Sequence, residues 1–276
     1  MATAMSTITK GYVPILGIVE MPPCGLGNRM LYYNNLRQEA HNRGGEFFCV
    51  PWRGHELFEG DMLGNWKLTQ HPKHEVIFEN GSSAPVYDPY PFCLGERFYT
   101  NYLPSRLSTR DIFKFKDFTL QTGLPIFDDS SRCAIHFRGT DFHTWNPDSI
   151  LKTQYYLDSI KEVQDKVLSF VLLTDDLSLE SYVKVKDYLT LNNIEYSIGQ
   201  NSADRAHYVY DFWLMSHCDY IISSPSTYAI CAGMIGKHKK IIHSEEWVLS
   251  RVKKNDKFWV DLYKGGNEDY SLWRLL

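Results

Sequence analysis

The sequence predicts an α/β protein built on a doubly wound parallel sheet, and three observations support this class. From about residue 132 onward, apolar runs of strand length alternate with amphipathic stretches of helix length. Such alternation is typical of parallel strands joined by crossover helices on both faces of a sheet. The run FVLL at 170–173 is apolar throughout, as expected for a strand buried on both faces.

The second half of the chain supplies the alternating elements. Strands are predicted at 132–138, 168–174, 194–198, 219–224 and 239–243, and we expect the last to close the sheet. Helices are predicted at 146–167, 177–189, 205–218 and 226–236. For the first helix, Asn146 is the expected N-cap and Pro147 lies in the first turn, where a missing N–H costs no hydrogen bond.

The first half is less regular. An apolar strand at 13–20 precedes a helix whose apolar face comprises Met30, Tyr33, Leu36 and Ala40. Gly44 and Gly45 should end that helix, and EFFCVPW predicts a second strand. Prolines interrupt the pattern at 53–104, which predicts loops and short helices on an acceptor-facing surface, and 105–118 is predicted to be helical.

A domain boundary is predicted in LQTGLPIFDDSS, which has the Gly, Pro and Ser typical of a linker. We therefore expect an N-terminal lobe at 1–125 and a C-terminal lobe at 126–250. Residues 251–276 would form a tail that packs back on the N-terminal lobe.

Composition excludes several classes of function. The chain has 276 residues and a formal net charge of −4, which disfavours a general nucleic-acid binder because phosphate neutralisation needs clustered Lys and Arg. Its six cysteines form no CxxC pair, so neither a zinc ribbon nor a redox motif is indicated. We expect a cytoplasmic protein without a signal peptide or membrane anchor, because no basic leader precedes a long apolar stretch. Oligomeric state is not predicted.

Ligands of doubly wound sheets bind beyond the carboxyl ends of the strands, and four such ends carry polar chemistry here. The first is CGLGNRM at 24–30. Gly25 and Gly27 permit a tight turn before a helix N-terminus, where backbone amides can hold an anion. It is not a dinucleotide fingerprint, because Met30 occupies the third glycine position. A plain strand-to-helix turn explains it equally well.

The second strand end is CAIHFRGTDF at 133–142. Arg138 can present a planar fork of donors to a diphosphate. His136 points to the same side of the extended strand. The alternative interpretation is a local ion pair between Arg138 and Asp141, with His136 as a hydrogen-bonded core residue.

The third is the pair Asp175 and Asp176, which directly follows a buried strand. One carboxylate could accept hydrogen bonds from a nucleotide base or ribose, and the other could cap the helix at 177–189. Adjacent aspartates do not form the alternating pattern of a metal-binding DxD motif. We therefore predict no metal and no cofactor.

The fourth is the turn between the strand at 219–224 and the helix at 226–236. Ser224, Ser226 and Thr227 lie there, and hydroxyls together with amides at a helix N-terminus make a phosphate site. Helix capping would account for one of these residues but not easily for all three.

Taken in order, GLGNRM, H-x-R-x-x-D, strand-TDD and D-x-x-LMS-x-C-D-x-I-x-x-x-x-ST resemble the fucosyltransferase superfamily, which includes the α-1,2-, α-1,6- and protein O-fucosyltransferases. The matching motifs lie between residues 25 and 236, and 50–120 is unmatched. The resemblance implies a GT-B-like fold of two facing Rossmann-like lobes with parallel sheets. It also implies an inverting, metal-independent transferase, with donor GDP-fucose held mainly by the C-terminal lobe and a glycan acceptor on the N-terminal side.

The resemblance also implies roles for individual residues. Arg138 would grip the β-phosphate of GDP and assist its departure, and His136 would contact the nucleotide. One of Asp175 and Asp176 would read the guanine. The remaining donor-binding residues are the phosphate-contacting Ser226 and Thr227 and, beside the sugar, Asn28 with Gly25 and Gly27.

The general base is open at this stage. The α-1,6 group carries a glutamate downstream of its H-x-R motif, whereas the corresponding stretch here, FHTWNPDS, has none. Asp141, His143 and Asp148 are the candidates.

Two other functions stay open: the same chemistry with another donor such as a UDP-pentose, and a nucleotide- or glycan-binding protein without catalysis. A Rossmann oxidoreductase is disfavoured by the missing third glycine.

Overall fold

A computed structural model describes residues 15–18, 24–42, 44–64, 74–77, 83–86, 109–116, 131–145, 147–199, 208–253 and 273–275. The strands are β1 Ile15–Ile18, β2 Glu46–Cys49, β3 His74–Ile77, β4 Ser83–Val86, β5 Arg132–Phe137, β6 Ser169–Thr174, β7 Tyr196–Ile198, β8 Tyr220–Ile222, β9 Lys240–His243 and β10 Trp273–Leu275. The helices are α1 Leu26–Asn42, α2 Arg53–Leu57, α3 Thr109–Ile112, α4 Phe142–Trp145, α5 Thr153–Val163, α6 Glu180–Leu191, α7 Tyr208–His217, α8 Thr227–Ile235 and α9 Glu245–Lys253.

The main sheet is parallel and has the strand order β10-β9-β8-β5-β6-β7. The chain starts at β5 in the middle, moves outward to β7, and returns to the other side of β5 at β8. This is a doubly wound sheet, so the predicted α/β class is confirmed. Its strand order reverses between β5 and β8, where doubly wound proteins bind their ligands.

The core of the main sheet explains why its strand sequences are so apolar. The side chains of Cys133, Ala134 and Ile135 in β5 are buried, as are those of Phe170 to Leu173 in β6. Helices α7 and α8 pack against each other beside this sheet. Burial on both faces removes the alternation of polar and apolar residues that a half-exposed strand would show.

The N-terminal unit is a parallel pair, β1 and β2, connected by α1. The predicted apolar face of α1, which comprises Met30, Tyr33, Leu36 and Ala40, is buried. Gly44 ends the helix with φ +61°, and the Gly45 N–H donates to the Ala40 carbonyl at 2.8 Å. Helix α1 packs directly on α8, so this unit contacts the main-sheet unit.

The single helix predicted at 146–167 is wrong. A 3-10 turn at Pro147–Ser149 comes first, and α5 begins only at Thr153. Lys152, with extended backbone angles, precedes α5 and supplies no side-chain cap. Asn146 lies outside the described residues. The Ile150 N–H donates to the Pro147 carbonyl at 3.0 Å, which closes the tight turn and separates it from the helix.

Two predictions for the middle of the chain also need correction. Within 53–104 the strands β3 and β4 form an antiparallel pair, where only loops and short helices were expected. The predicted helix at 105–118 is short: α3 ends at Ile112, and Phe115 forms an isolated bridge with Phe58. Backbone hydrogen bonds across this bridge, from Glu59 N–H to the Lys114 carbonyl and from Lys116 N–H to the Leu57 carbonyl, replace helical ones. The rings of the two phenylalanines pack 5.1 Å apart.

The chain end differs from the expectation as well. Strand β10 pairs in parallel with β9, so the sheet does not close at 239–243. Residues 273–275, at the end of the predicted tail at 251–276, thus join the main sheet, and the packing of this tail on the N-terminal lobe stays a prediction. Helix α9 runs through the predicted boundary at residue 250. The lobe boundary near residue 125 lies outside the described residues, and the GT-B division into two lobes stays a prediction.

In the part of the chain that the structure describes, no helix is both long and apolar enough to cross a membrane.

Candidate active site

The site lies where β5 and β8 end, at the reversal of strand order. His136 of β5 and Ser224 after β8 meet there, with 2.7 Å between His136 Nδ1 and Ser224 Oγ. The His136 ring stacks on Tyr228 at a centroid distance of 5.3 Å. Burial lowers the pKa of His136 to about 4, and Asp175 opposes this shift while Arg138 adds to it. The imidazole is therefore neutral at pH 7.

Asp175 fixes the loop that follows β5. Its Oδ1 accepts from the Gly139 N–H at 2.8 Å, and its Oδ2 accepts from Thr140 Oγ1 at 2.7 Å. The same Oδ2 lies 2.6 Å from an Arg138 guanidinium nitrogen. Strands β5 and β6 are parallel neighbours, so their carboxyl ends bring these groups together. Both oxygens of Asp175 are thus engaged with the 138–140 loop.

Arg138 is held between two carboxylates. Its second guanidinium nitrogen lies 2.8 Å from Asp141 Oδ1, and its guanidinium carbon lies 5.6 Å from the centre of the Phe142 ring. The predicted pair between Arg138 and Asp141 therefore forms, and Asp175 adds to it. The Asp141 side chain is 56% exposed and that of Asp175 only 14%. An incoming anion would therefore displace Asp141 from Arg138 more readily than it would displace Asp175.

Asp176 has a separate set of partners. Its Oδ1 accepts from the Ser178 N–H at 2.9 Å and the Ser178 hydroxyl at 2.6 Å, and its Oδ2 lies 3.2 Å from His143 Nε2. These hydrogen bonds, those from Ser178 foremost, lower the pKa of Asp176. A Cβ at Gly139 would lie 2.7 Å from the Asp176 Cβ, so glycine lets the loop approach this aspartate.

The three hydroxyl residues at the start of α8 have three different partners. Ser224 meets His136, and Ser226 is the N-cap of α8, whose Oγ accepts from the Tyr228 N–H at 3.3 Å. Thr227 Oγ1 donates to Asn28 Oδ1 at 2.7 Å. Capping explains Ser226 as predicted, and Thr227 joins the start of α8 to the start of α1.

The two glycines of CGLGNRM differ in their surroundings. A Cβ at Gly27 would lie 2.4 Å from the Tyr228 backbone nitrogen, and Cys231 Sγ donates to the Gly27 carbonyl at 3.3 Å. Gly27 therefore permits the close contact of α1 with α8. Gly25 is exposed, and a Cβ added to it would have no neighbouring atom within 4 Å, so its surroundings are open.

The similarity of this chain to known proteins is one of structure. No family model matches the chain, and no curated protein matches its sequence. Among solved structures, the chain is similar to NodZ α-1,6-fucosyltransferase from a crystal soaked with GDP-fucose, with a TM-score of 0.51 and 14% sequence identity. The match covers 85% of this chain and 96% of that one. The fold is fucosyltransferase-like. The family resemblance predicted from motif order is thereby supported at the level of the fold.

Within this fucosyltransferase-like fold, one predicted catalytic candidate lies apart from the others. Asp148 is exposed in the 3-10 turn, and none of the contacts described joins it to the cluster around Arg138. The structure brings together Arg138, Asp141 and Asp175 on one side and His143 with Asp176 on the other. In the described residues, no group of three or more His, Cys, Asp or Glu side chains is arranged to hold a metal ion.

Sequence reasoning missed several residues that shape this candidate site. Thr140 helps to anchor the loop, and Tyr228 stacks on His136. The Tyr155 hydroxyl lies 2.9 Å from the carbonyl oxygens of both Ser223 and Ile242, which steadies the end of β8. Thr140 could have been noticed, since it stands inside the HFRGTD motif. Tyr155 had no such signal, because its helical spacing indicates only a core residue.

Proposed function

We propose that this protein is a glycosyltransferase that moves a sugar, fucose from GDP-fucose, to a hydroxyl group of a glycan acceptor. The transfer would be inverting and independent of metal. The observation that carries this proposal is the position of Arg138, held at the carboxyl end of β5 beside the reversal of strand order. The fold similarity to a fucosyltransferase supports it.

The diphosphate of the donor would bind between Arg138 and the start of α8. The N-termini of α1 and α8 meet at Asn28 and Thr227, so their backbone amides carry partial positive charge in one place. Arg138 adds a full charge and a planar fork suited to phosphate oxygens. On donor binding, phosphate would take the place of the exposed Asp141, while Asp175 keeps hold of the guanidinium.

The reaction follows from this arrangement. The acceptor oxygen forms a bond to the anomeric carbon, and the bond from that carbon to the diphosphate breaks. Negative charge grows on the leaving diphosphate, where Arg138 and the amides and hydroxyls around α8 stabilise it. Such fixed donors can supply the charge stabilisation that a metal ion supplies in other transferases. The acceptor proton passes to a base, for which Asp141, His143 and Asp148 are the candidates.

His136 contributes a neutral ring at the end of β5. Its low pKa keeps it uncharged, so it can contact the nucleotide without adding charge to the site. The contacts of Asp175 and Asp176 indicate that both carboxylates support the loop that carries Arg138 and His143. A role for one of them in reading guanine stays a prediction.

Calorimetric titration with GDP, and separately with UDP, both in EDTA, tests this function. We expect GDP to bind and UDP to bind much more weakly. Preference for UDP would keep a transferase but exclude GDP-fucose as the donor. Binding of neither nucleotide would contradict the phosphate site. Release of GDP from GDP-fucose would then separate an enzyme from a nucleotide-binding protein without catalysis, because a pure binding protein leaves the donor intact.

A further inference from the structure

A histidine–aspartate pair lies at the edge of the site. His143 is on α4, directly after the Arg138 loop, and its Nε2 lies 3.2 Å from Asp176 Oδ2. The other Asp176 oxygen is held by the backbone and the hydroxyl of Ser178. This carboxylate therefore has a fixed orientation, and it orients the ring in turn. The His143 side chain is 52% exposed, so the ring is open to a ligand.

The contact determines which ring nitrogen is available. A carboxylate only accepts hydrogen bonds, and the Ser178 hydrogen bonds keep the pKa of Asp176 below its usual value, so Asp176 is ionised at neutral pH. Nε2 then carries the hydrogen, and the lone pair of the neutral ring is on Nδ1. Among the described residues, Nδ1 has no partner. An ionised carboxylate also stabilises the imidazolium that forms when Nδ1 takes a proton.

The other two candidates lack this arrangement. Asp141 pairs with Arg138 at 2.8 Å, and taking up a proton would neutralise the carboxylate of that pair. Asp148 is exposed, and no described contact gives it an orientation. Among the three, His143 alone combines a fixed orientation with an available lone pair.

Asp175 and Asp176 are adjacent in the chain, so their Cα atoms lie about 3.8 Å apart. The first holds Arg138 and the second holds His143. One strand end thus presents a cation and a base side by side, which is what the transfer of a sugar from a diphosphate to a hydroxyl needs.

We propose that His143 is the general base of the transfer and that Asp176 is its positioning residue. This inference rests on the proposed function. The acceptor oxygen bonds to the anomeric carbon as its proton moves to His143 Nδ1. The bond from that carbon to the phosphate oxygen breaks, and its electron pair leaves on the diphosphate.

Three charged groups of the described structure belong to the segments next to His143. Asp176 meets it from the end of β6, and Arg138 and Asp141 belong to the loop that precedes α4. Asp176 contacts the ring, while Arg138 and Asp141 pair with each other. A histidine acts as a general base only when its ring is neutral, so we expect a rate that rises with pH.

The test uses GDP-fucose hydrolysis, in which water takes the place of the acceptor. GDP release is measured from about pH 5 to about pH 9 for the wild type, His143→Gln, Asp176→Asn and Asp148→Asn, and GDP affinity is measured for each. Gln at 143 can still donate to Asp176 but cannot take up a proton. His41→Gln is the matched control, because His41 is exposed at the far end of α1.

We expect His143→Gln to bind GDP like the wild type, to release GDP roughly 10²-fold more slowly, and to lose the rise of rate with pH. Asp176→Asn should slow GDP release less than His143→Gln does, because the amide oxygen can still accept the Nε2 hydrogen and orient the ring. Azide needs no deprotonation, so it should restore turnover to His143→Gln.

Other outcomes overturn the inference. A wild-type rate and pH profile in His143→Gln would show that this ring is not the base. If Asp148→Asn slows GDP release and removes its pH dependence while His143→Gln does not, Asp148 is the base. If His143→Gln lowers GDP affinity and azide does not restore turnover, His143 is a donor contact. Failure of the proposed function is distinct: the wild type would then neither bind GDP nor cleave GDP-fucose.

Discussion

Two glycine-containing turns of this protein look alike in sequence and differ in the structure. GLGN at 25–28 and RGTD at 138–141 each follow a strand. In the first, Gly27 lies against the backbone at the start of α8, and its surroundings are uncharged packing contacts. In the second, Gly139 lies against Asp176, and its loop is held by ion pairs. The first turn joins two units of the fold, and the second presents charged groups at the site.

A glycine in a strand-to-helix turn therefore does not by itself indicate an anion site. What distinguishes the two turns is the chemistry of the neighbouring element: a helix start beside Gly27, and a pair of carboxylates beside Gly139. A change at Gly27 should therefore alter stability first, and changes in the second turn should alter activity.

The greatest loss of activity should occur on substitution of Arg138. Arg138→Ala should lower GDP release from GDP-fucose by roughly 10²-fold or more, because a charge-stabilising donor to the leaving group is lost. The melting temperature should change little, since the side chain is partly exposed. Arg138→Lys keeps the charge but loses the planar fork, and it should recover only part of the rate. Near-normal turnover in Arg138→Ala would contradict the assignment.

Gly27→Ala tests the other turn. The added Cβ would lie 2.4 Å from the Tyr228 nitrogen, so we expect a loss of about 1–3 kcal/mol in the free energy of unfolding, despite the better helix propensity of Ala. Gly25→Ala is the matched control, because no atom lies within 4 Å of its added Cβ. Urea unfolding of both variants measures the difference. If Gly27→Ala and Gly25→Ala have the same free energy of unfolding, α1 and α8 can move apart to make room for the added Cβ without loss of stability.

Asp175→Asn should lower the rate by less than Arg138→Ala, by about tenfold. The amide retains one acceptor oxygen for the 138–140 loop but loses the charge that holds the guanidinium. GDP-fucose hydrolysis and GDP affinity, measured together, check this. If Asp175 reads guanine, the variant should lose selectivity for GDP over UDP. If it only holds the loop, that selectivity should persist.

At neutral pH the smallest effect is the pH dependence of stability due to His136, which grows only as the pH falls. Its pKa in the folded protein is about 4, below the usual value of 6.5, so folding favours the neutral ring. Its contribution to stability is present above pH 6.5 and is lost as the pH falls toward 4, with a slope of at most about 1.4 kcal/mol per pH unit.

His136→Asn should reduce that slope in urea unfolding between about pH 6.5 and about pH 4.5. Part of the slope should persist, because burial also lowers the pKa of His243, to about 3. An unchanged slope in the variant would mean that His136 keeps a similar pKa in the unfolded and the folded chain.

Most of the fold and part of the site could be predicted from the sequence. The strands of the main sheet followed from apolar runs, and the α1 face from helical spacing, because both signals are local. The split of the predicted helix at 146–167 could not be foreseen, since the turn closed by Pro147 and the helix that starts at Thr153 look continuous in composition. Strand β10 was missed because WRL is too short to stand out.

Local residue patterns predicted most strands and helices in their order along the chain, and they placed His136, Arg138 and the aspartate pair at strand ends. The partners of those groups depend on the folded structure. Asp175 meets Gly139 across 36 positions of chain, and Thr227 meets Asn28 across 199. Contacts of that range depend on which strands become neighbours and how closely two helices approach. Pairing and packing of the whole chain therefore decide which aspartate holds the arginine and which holds the histidine.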